Sequence, residues 1–83
     1  MRIVAAAVKC NGLTISLPAP ARHYQILAKM PARMATAVKP SEQGFLTDGG
    51  DFIGREDAKT VAREAGQLLK EAPQRELFSE DLW

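Results

Sequence analysis

The chain has 83 residues, 46% of them hydrophobic and 25% charged, with eleven Lys and Arg against ten Asp and Glu for a formal charge of +1. That length allows one core, burying roughly 60–65% of the surface the unfolded chain would expose, so residues 1–83 read as a single domain, and the near-zero charge gives no global field to hold a polyanion such as duplex DNA. One cysteine, Cys10, and one histidine, His23, exclude an intrachain disulfide and a zinc cluster, which leaves self-association as the supplement small domains often need.

Arg2 to Val8 and Leu13 to Leu17 are β-compatible runs on either side of Lys9-Cys10-Asn11-Gly12. Asn-Gly is a strong hairpin signal because both residues tolerate positive φ. Leu13, Ile15 and Leu17 alternate with Thr14 and Ser16, which predicts one buried face and one polar face. The run Ile3 to Val8 superficially looks like a signal peptide, but Lys9 and Asn11-Gly12 cut it short and it reads better as a buried strand. Its alanines, Ala5, Ala6 and Ala7, are poor strand formers on their own whose small size lets another layer or subunit approach closely.

Pro18-Ala19-Pro20 stops the second strand for want of N–H donors. Tyr24, Ile26, Leu27 and Met30 then recur at helical spacings and predict a first helix from about Ala21 to Lys29, ended or kinked by Pro31. Met34 to Ser41 has little periodicity and reads as a loop. Gln43 to Thr47 and Phe52-Ile53 predict a second hairpin around Asp48-Gly49-Gly50-Asp51.

From Arg55 the pattern is helical, with Ala58, Val61, Ala62, Ala65, Leu68 and Leu69 on one face. Gly54 serves as N-cap, Glu56 and Asp57 complement the helix dipole, and Pro73 marks the end. Gly66 is either a close-packing site or the place where the helix loosens. Leu77, Phe78, Leu82 and Trp83 make the tail too apolar to trail in water, so it packs on its own domain or on a neighbour. The expected fold is therefore α+β: a small antiparallel sheet of two hairpins, two α-helices and an apolar C-terminal tail. No stretch approaches the roughly 20 apolar residues of a membrane span, and a lone thiol suits the cytosol.

Catalytic groups are sparse. Cys10 and His23 are the only pairing of nucleophile and base for a triad, and Cys10 falls in a tight turn. Glu80 and Asp81 are adjacent, so on a strand they face opposite sides. Gly49-Gly50 lacks the further glycines of a phosphate-binding loop. The expectation is a binding protein, not an enzyme, with no catalytic residue, no metal site and no cofactor.

Arg22-His23-Tyr24 opens a helix, where free amides and cations together suit a phosphate; a solvated helix end with Tyr24 packed beneath it is the plainer alternative. Arg55 is a cation at the helix end whose dipole disfavours one. Phe45 is either a core residue or a ring that stacks on a base, and Arg75 is expected to be exposed. Taken singly, these residues assign no function.

Taken together, several segments resemble a known family. They are Ile3-Val4-Ala5-Ala6-Ala7, Arg22-His23, Gln43-Gly44-Phe45-Leu46-Thr47, Phe52 with Arg55, Ala65-Gly66-Gln67, and Leu77-Phe78-Ser79-Glu80-Asp81-Leu82-Trp83. They are similar in identity and order to small phage proteins that counter the bacterial Thoeris defence, sponges that sequester cyclic ADP-ribose-type signals without degrading them. The resemblance implies a homodimer or hexamer in the host cytoplasm, with a cyclic nucleotide held at a subunit interface and, in some members, cyclic di- or trinucleotides at a separate site. It also implies that Phe45 stacks on adenine, that Arg22 and Arg75 hold the linked phosphates with His23 beside Arg22, and that Arg55 or the backbone at Gly54 contacts ribose or base. Tyr24 stands where a second histidine is expected, Gly54 where many relatives carry Asp or Asn, and Met30 to Lys39 follows no family pattern. Two alternatives are a phage protein that docks on a host defence protein through its apolar tail, and a small phosphodiesterase-like enzyme using His23, Cys10 or the tail carboxylates.

Overall fold

The computed structural model describes residues 1–10, 12–71 and 75–83. Strands β1 (Ile3–Cys10) and β2 (Leu13–Pro18) form the first hairpin, in register from Cys10↔Leu13 to Ala5↔Pro18. Gly12 takes the positive φ, +78°, that the tight turn requires. Strands β3 (Gln43–Thr47) and β4 (Phe52–Gly54) form the second. β3 pairs antiparallel with β1, giving one four-stranded sheet in the order β2-β1-β3-β4. Ala5, Ala6, Ala7 and Val8 are buried because β1 is a central strand with neighbours on both sides. β2 is an edge strand, and Leu13 at its start is 66% exposed, contrary to the alternation that predicted a buried face.

Gly44 of β3 has no free space for a side chain. A Cβ there would strike the Ile53 carbonyl oxygen and lie 2.7 Å from Cζ of Phe52, whose ring rests on this stretch of backbone.

Helix α1 spans His23–Ala28, α2 spans Ala32–Ala37 and α3 spans Arg55–Glu64, with 3-10 turns at Pro40–Glu42 and Ser79–Asp81. Where two helices are expected, the described residues form three, and the segment expected to be a loop from Met34 begins inside α2. Pro31 ends α1 and is also the N-cap residue of α2. α2 escapes detection by periodicity because it buries no residue and so carries no apolar stripe.

α3 ends at Glu64, well before the residue 73 position that lies outside the described residues. The Gly66 N–H bonds to the Arg63 carbonyl at 3.2 Å and the Gln67 N–H to the Ala62 carbonyl at 2.8 Å, with Gly66 at φ +70°. This is a Schellman ending, and it needs a residue that accepts the left-handed region. Of the two roles open to Gly66, it is where the helix stops.

The next residue ties this end to the sheet. The Gln67 side-chain oxygen accepts from the Ile3 N–H at 2.8 Å, and its amide donates to the Ile3 carbonyl at 2.7 Å.

Two apolar clusters form the core. Ala6, Val8 and Ile26 pack with Ile15, Leu17, Leu27, Met30 and Val38; Ile3, Phe45, Ala58, Ala62, Leu77 and Leu82 pack with Ile53, Val61, Leu68 and Trp83. Ala6 stands opposite both Leu17 and Phe45, and Val8 opposite Ile15, so both clusters grow from one sheet face. Phe45, in the second cluster, is fully buried, a contribution of roughly 1.5–3 kcal/mol from its side chain. Leu77 and Leu82 bring the tail against α3, and the Trp83 indole N–H donates to the Ala21 carbonyl at 2.9 Å. Among the described residues no helix is long and apolar enough to cross a membrane.

Candidate functional site

α1 and the Ser79–Asp81 turn face each other across a cleft of about 230 Å³, lined by Arg22, His23, Tyr24, Arg55, Phe78, Ser79 and Glu80. Arg22 sits at the N-cap of α1, its backbone N–H fixed by the Gln25 side-chain oxygen at 2.7 Å. That bond fixes the backbone at the helix start, and the Arg22 side chain lines the cleft. Nη1 is buried and, among the described residues, has no hydrogen-bond partner; the Glu80 Oε1 is 3.6 Å away. An unmatched buried guanidinium proton costs about 1–3 kcal/mol or more, and an anion of the right shape would recover it.

His23 is 7% exposed, and its Nε2–H donates to the Gly44 carbonyl at 2.7 Å. Burial pulls its pKa below the ordinary histidine value, with the Gly44 carbonyl opposing and the Arg55 charge adding to the fall. The ring is therefore neutral at pH 7. It meets Phe45 edge-on, with centroids 5.0 Å apart. Cys10 is buried at the end of β1 and makes no hydrogen bond to His23 among the described residues.

Arg55, the first residue of α3, also lines the cleft. Nη1 donates to the Leu77 carbonyl at 2.7 Å and Nη2 to the Gln43 side chain at 2.9 Å, and the guanidinium lies 4.9 Å from the Phe78 centroid. A cation at this helix end looks misplaced locally; the tail and β3 explain it. Arg75 is outside the cleft. It grips Asp81 with two bonds of 2.8 and 3.0 Å and lies 4.1 Å from the Phe78 centroid. Hydrogen bonding to Arg75 holds the Asp81 carboxyl below its usual range, and Asp81 in turn accepts from the Phe78 N–H at 2.8 Å. The Ser79 hydroxyl, donating at 2.7 Å, likewise lowers the Glu80 pKa.

The sequence candidates thus divide. Arg22, His23 and Arg55 come together. Gly54 lines a neighbouring groove with Ser41, Gln43, Arg55, Glu56 and Glu76. Phe45 lies behind His23 with 0% exposure, so neither ring face is open to a base, and the expected stacking role does not fit this arrangement. Arg75 does not share the cleft with Arg22, so the two do not hold linked phosphates in one chain as arranged here. Tyr24, Phe78, Ser79 and Glu80 line the cleft as well, although the family resemblance implies no ligand contact for them. Phe78 is held by the Arg55 and Arg75 guanidinium groups at 4.9 and 4.1 Å from its centroid, and the Arg55 contact joins segments distant in sequence that no local pattern announces. Among the described residues no three His, Cys, Asp or Glu side chains gather as metal ligands would.

No curated protein and no solved structure matches the chain. The sequence pattern of a phage family, described as phage T4 y16D protein, matches residues 2–83. That match spans the sheet, all three helices and every cleft residue, and the chain belongs to the phage T4 y16D protein family.

Proposed function

We propose that this phage protein is an anti-defence sponge: it binds a cyclic nucleotide signal of the cyclic ADP-ribose type in the host cytoplasm and holds it without degrading it, so that a defence effector is never switched on. The observation that carries this reading is the buried Arg22 Nη1 without a hydrogen-bond partner among the described residues, in a cleft that also holds Arg55, Tyr24 and Phe78. A nucleotide offers phosphate oxygens for the first and flat apolar surface for the rings.

Assembly belongs to the same proposal. A cleft of about 230 Å³ is below the roughly 300–1,000 Å³ usual for small-molecule sites. A homodimer or hexamer in which a second chain completes the enclosure supplies the missing wall. Light scattering at micromolar concentration is expected to give a dimer or hexamer, and a monomer would overturn the shared site. Incubation with cyclic ADP-ribose isomers, heating and chromatography should return the ligand unchanged; a converted product would make the protein an enzyme.

A further inference from the structure

We infer that Tyr24 is the platform on which the base of the bound nucleotide stacks. The inference rests on the nucleotide reading of the cleft and assigns the contact that Phe45 does not provide. The chain's aromatic rings are those of Tyr24, Phe45, Phe52, Phe78 and Trp83. Phe45 has no exposure. Phe52 rests on the Gly44 backbone with Lys9 Nζ 4.7 Å from its centroid, and it does not line the cleft. Phe78 lines the cleft but is approached by two guanidinium groups, Arg55 at 4.9 Å and Arg75 at 4.1 Å. Trp83 is anchored through its N–H to Ala21 and meets Phe45 edge-on at 6.4 Å.

Tyr24 alone combines an open ring with a place in the cleft. It is 69% exposed and lines the cleft with Arg22 and Arg55. It follows Arg22 by two residues at the start of α1, and both side chains line the cleft. A nucleotide requires such a pairing: its phosphate and its base are separated by one ribose, and a cation beside an aromatic face meets both. Stacking on an aromatic ring tolerates any base, so Tyr24 provides affinity for the nucleotide class and leaves the choice of base to polar contacts.

Full-length wild type, Tyr24→Ala and Tyr24→Phe are titrated calorimetrically with cyclic ADP-ribose isomers and with inorganic pyrophosphate, which carries charge and no base. Tyr24→Ala is expected to weaken the nucleotide about 5- to 150-fold while pyrophosphate binding stays at the wild-type value, and Tyr24→Phe is expected to retain both. Tyr24→Trp should show emission quenched by the nucleotide and not by pyrophosphate, beyond the change Trp83 gives in wild type. Unchanged nucleotide affinity in Tyr24→Ala, or equal loss for both probes, overturns the role of Tyr24 alone. A wild type that binds none of the isomers overturns the nucleotide reading and this inference with it.

Discussion

Arg22 Nη1 and Glu80 Oε1 stand 3.6 Å apart across the cleft, close enough for charge attraction and too far for a hydrogen bond. Glu80 is 66% exposed and held by the Ser79 hydroxyl. The carboxylate is therefore the resident counter-charge of the Arg22 guanidinium. On the proposed reading, a phosphate bound by Arg22 competes with it. Glu80→Gln keeps the shape and removes the charge, and the expected result is about 2- to 5-fold tighter pyrophosphate binding, the scale of an exposed ion pair. The difference should shrink as salt is raised. Weaker binding in the variant would mean that Glu80 helps to hold the ligand.

The two cleft arginines should separate by their effect on stability. Arg55 carries two hydrogen bonds that join α3 to β3 and to the tail, so Arg55→Ala is expected to cost about 1–3 kcal/mol and lower Tm by several degrees. Arg22 makes no such bonds with its guanidinium among the described residues, and Arg22→Ala should abolish anion binding without lowering Tm. Thermal melts and pyrophosphate titrations of the two variants check this together. Equal losses of Tm would contradict it.

His23 gives the fold a pH dependence with a definite sign. Its folded-state pKa is lowered by burial. Above the unfolded histidine value, near 6.5, both states are neutral and nothing is lost. As pH falls below that value the unfolded chain takes up a proton that the folded chain refuses, and stability declines by up to about 1.4 kcal/mol per pH unit until the folded-state pKa is reached. Denaturant melts between pH 7.5 and 5 should show this decline in wild type and a flatter profile in His23→Gln. Greater stability at pH 5 than at 7.5 would contradict the buried neutral ring.

Gly44→Ala tests the packing behind the cleft. The new methyl would meet the Ile53 carbonyl and the Phe52 ring, and overpacking of this kind costs roughly 1–3 kcal/mol. Because the Gly44 carbonyl also accepts from His23, the substitution should shift the pH profile as well as the melt midpoint. Chemical denaturation at two pH values reads both.

Much of the architecture is legible locally. Gly12, the Asp48–Asp51 turn and the apolar stripe beginning at Ala58 mark two hairpins and α3 because turn chemistry and periodicity act over a few residues. What escapes is non-local or unpatterned. Nothing near β1 announces that β3 will pair on its far side. α2 has no buried stripe, and Leu13 is exposed because β2 lies at an edge. Phe45 shows the same limit at the site: an aromatic between Gly44 and Leu46 suits a core or a base equally well, and only the packing of His23 and Trp83 around it decides. Arg55 was recognisable as misplaced at a helix start, whereas its partners, the Leu77 carbonyl and Gln43, lie in segments distant in sequence.

The most direct measurement is isothermal titration of the purified full-length protein with cyclic ADP-ribose isomers, wild type beside Arg22→Ala. The account predicts tight, saturable binding of at least one isomer by wild type and its loss in Arg22→Ala, with both proteins equally folded. Binding of none of the isomers, or equal binding by both proteins, would contradict it.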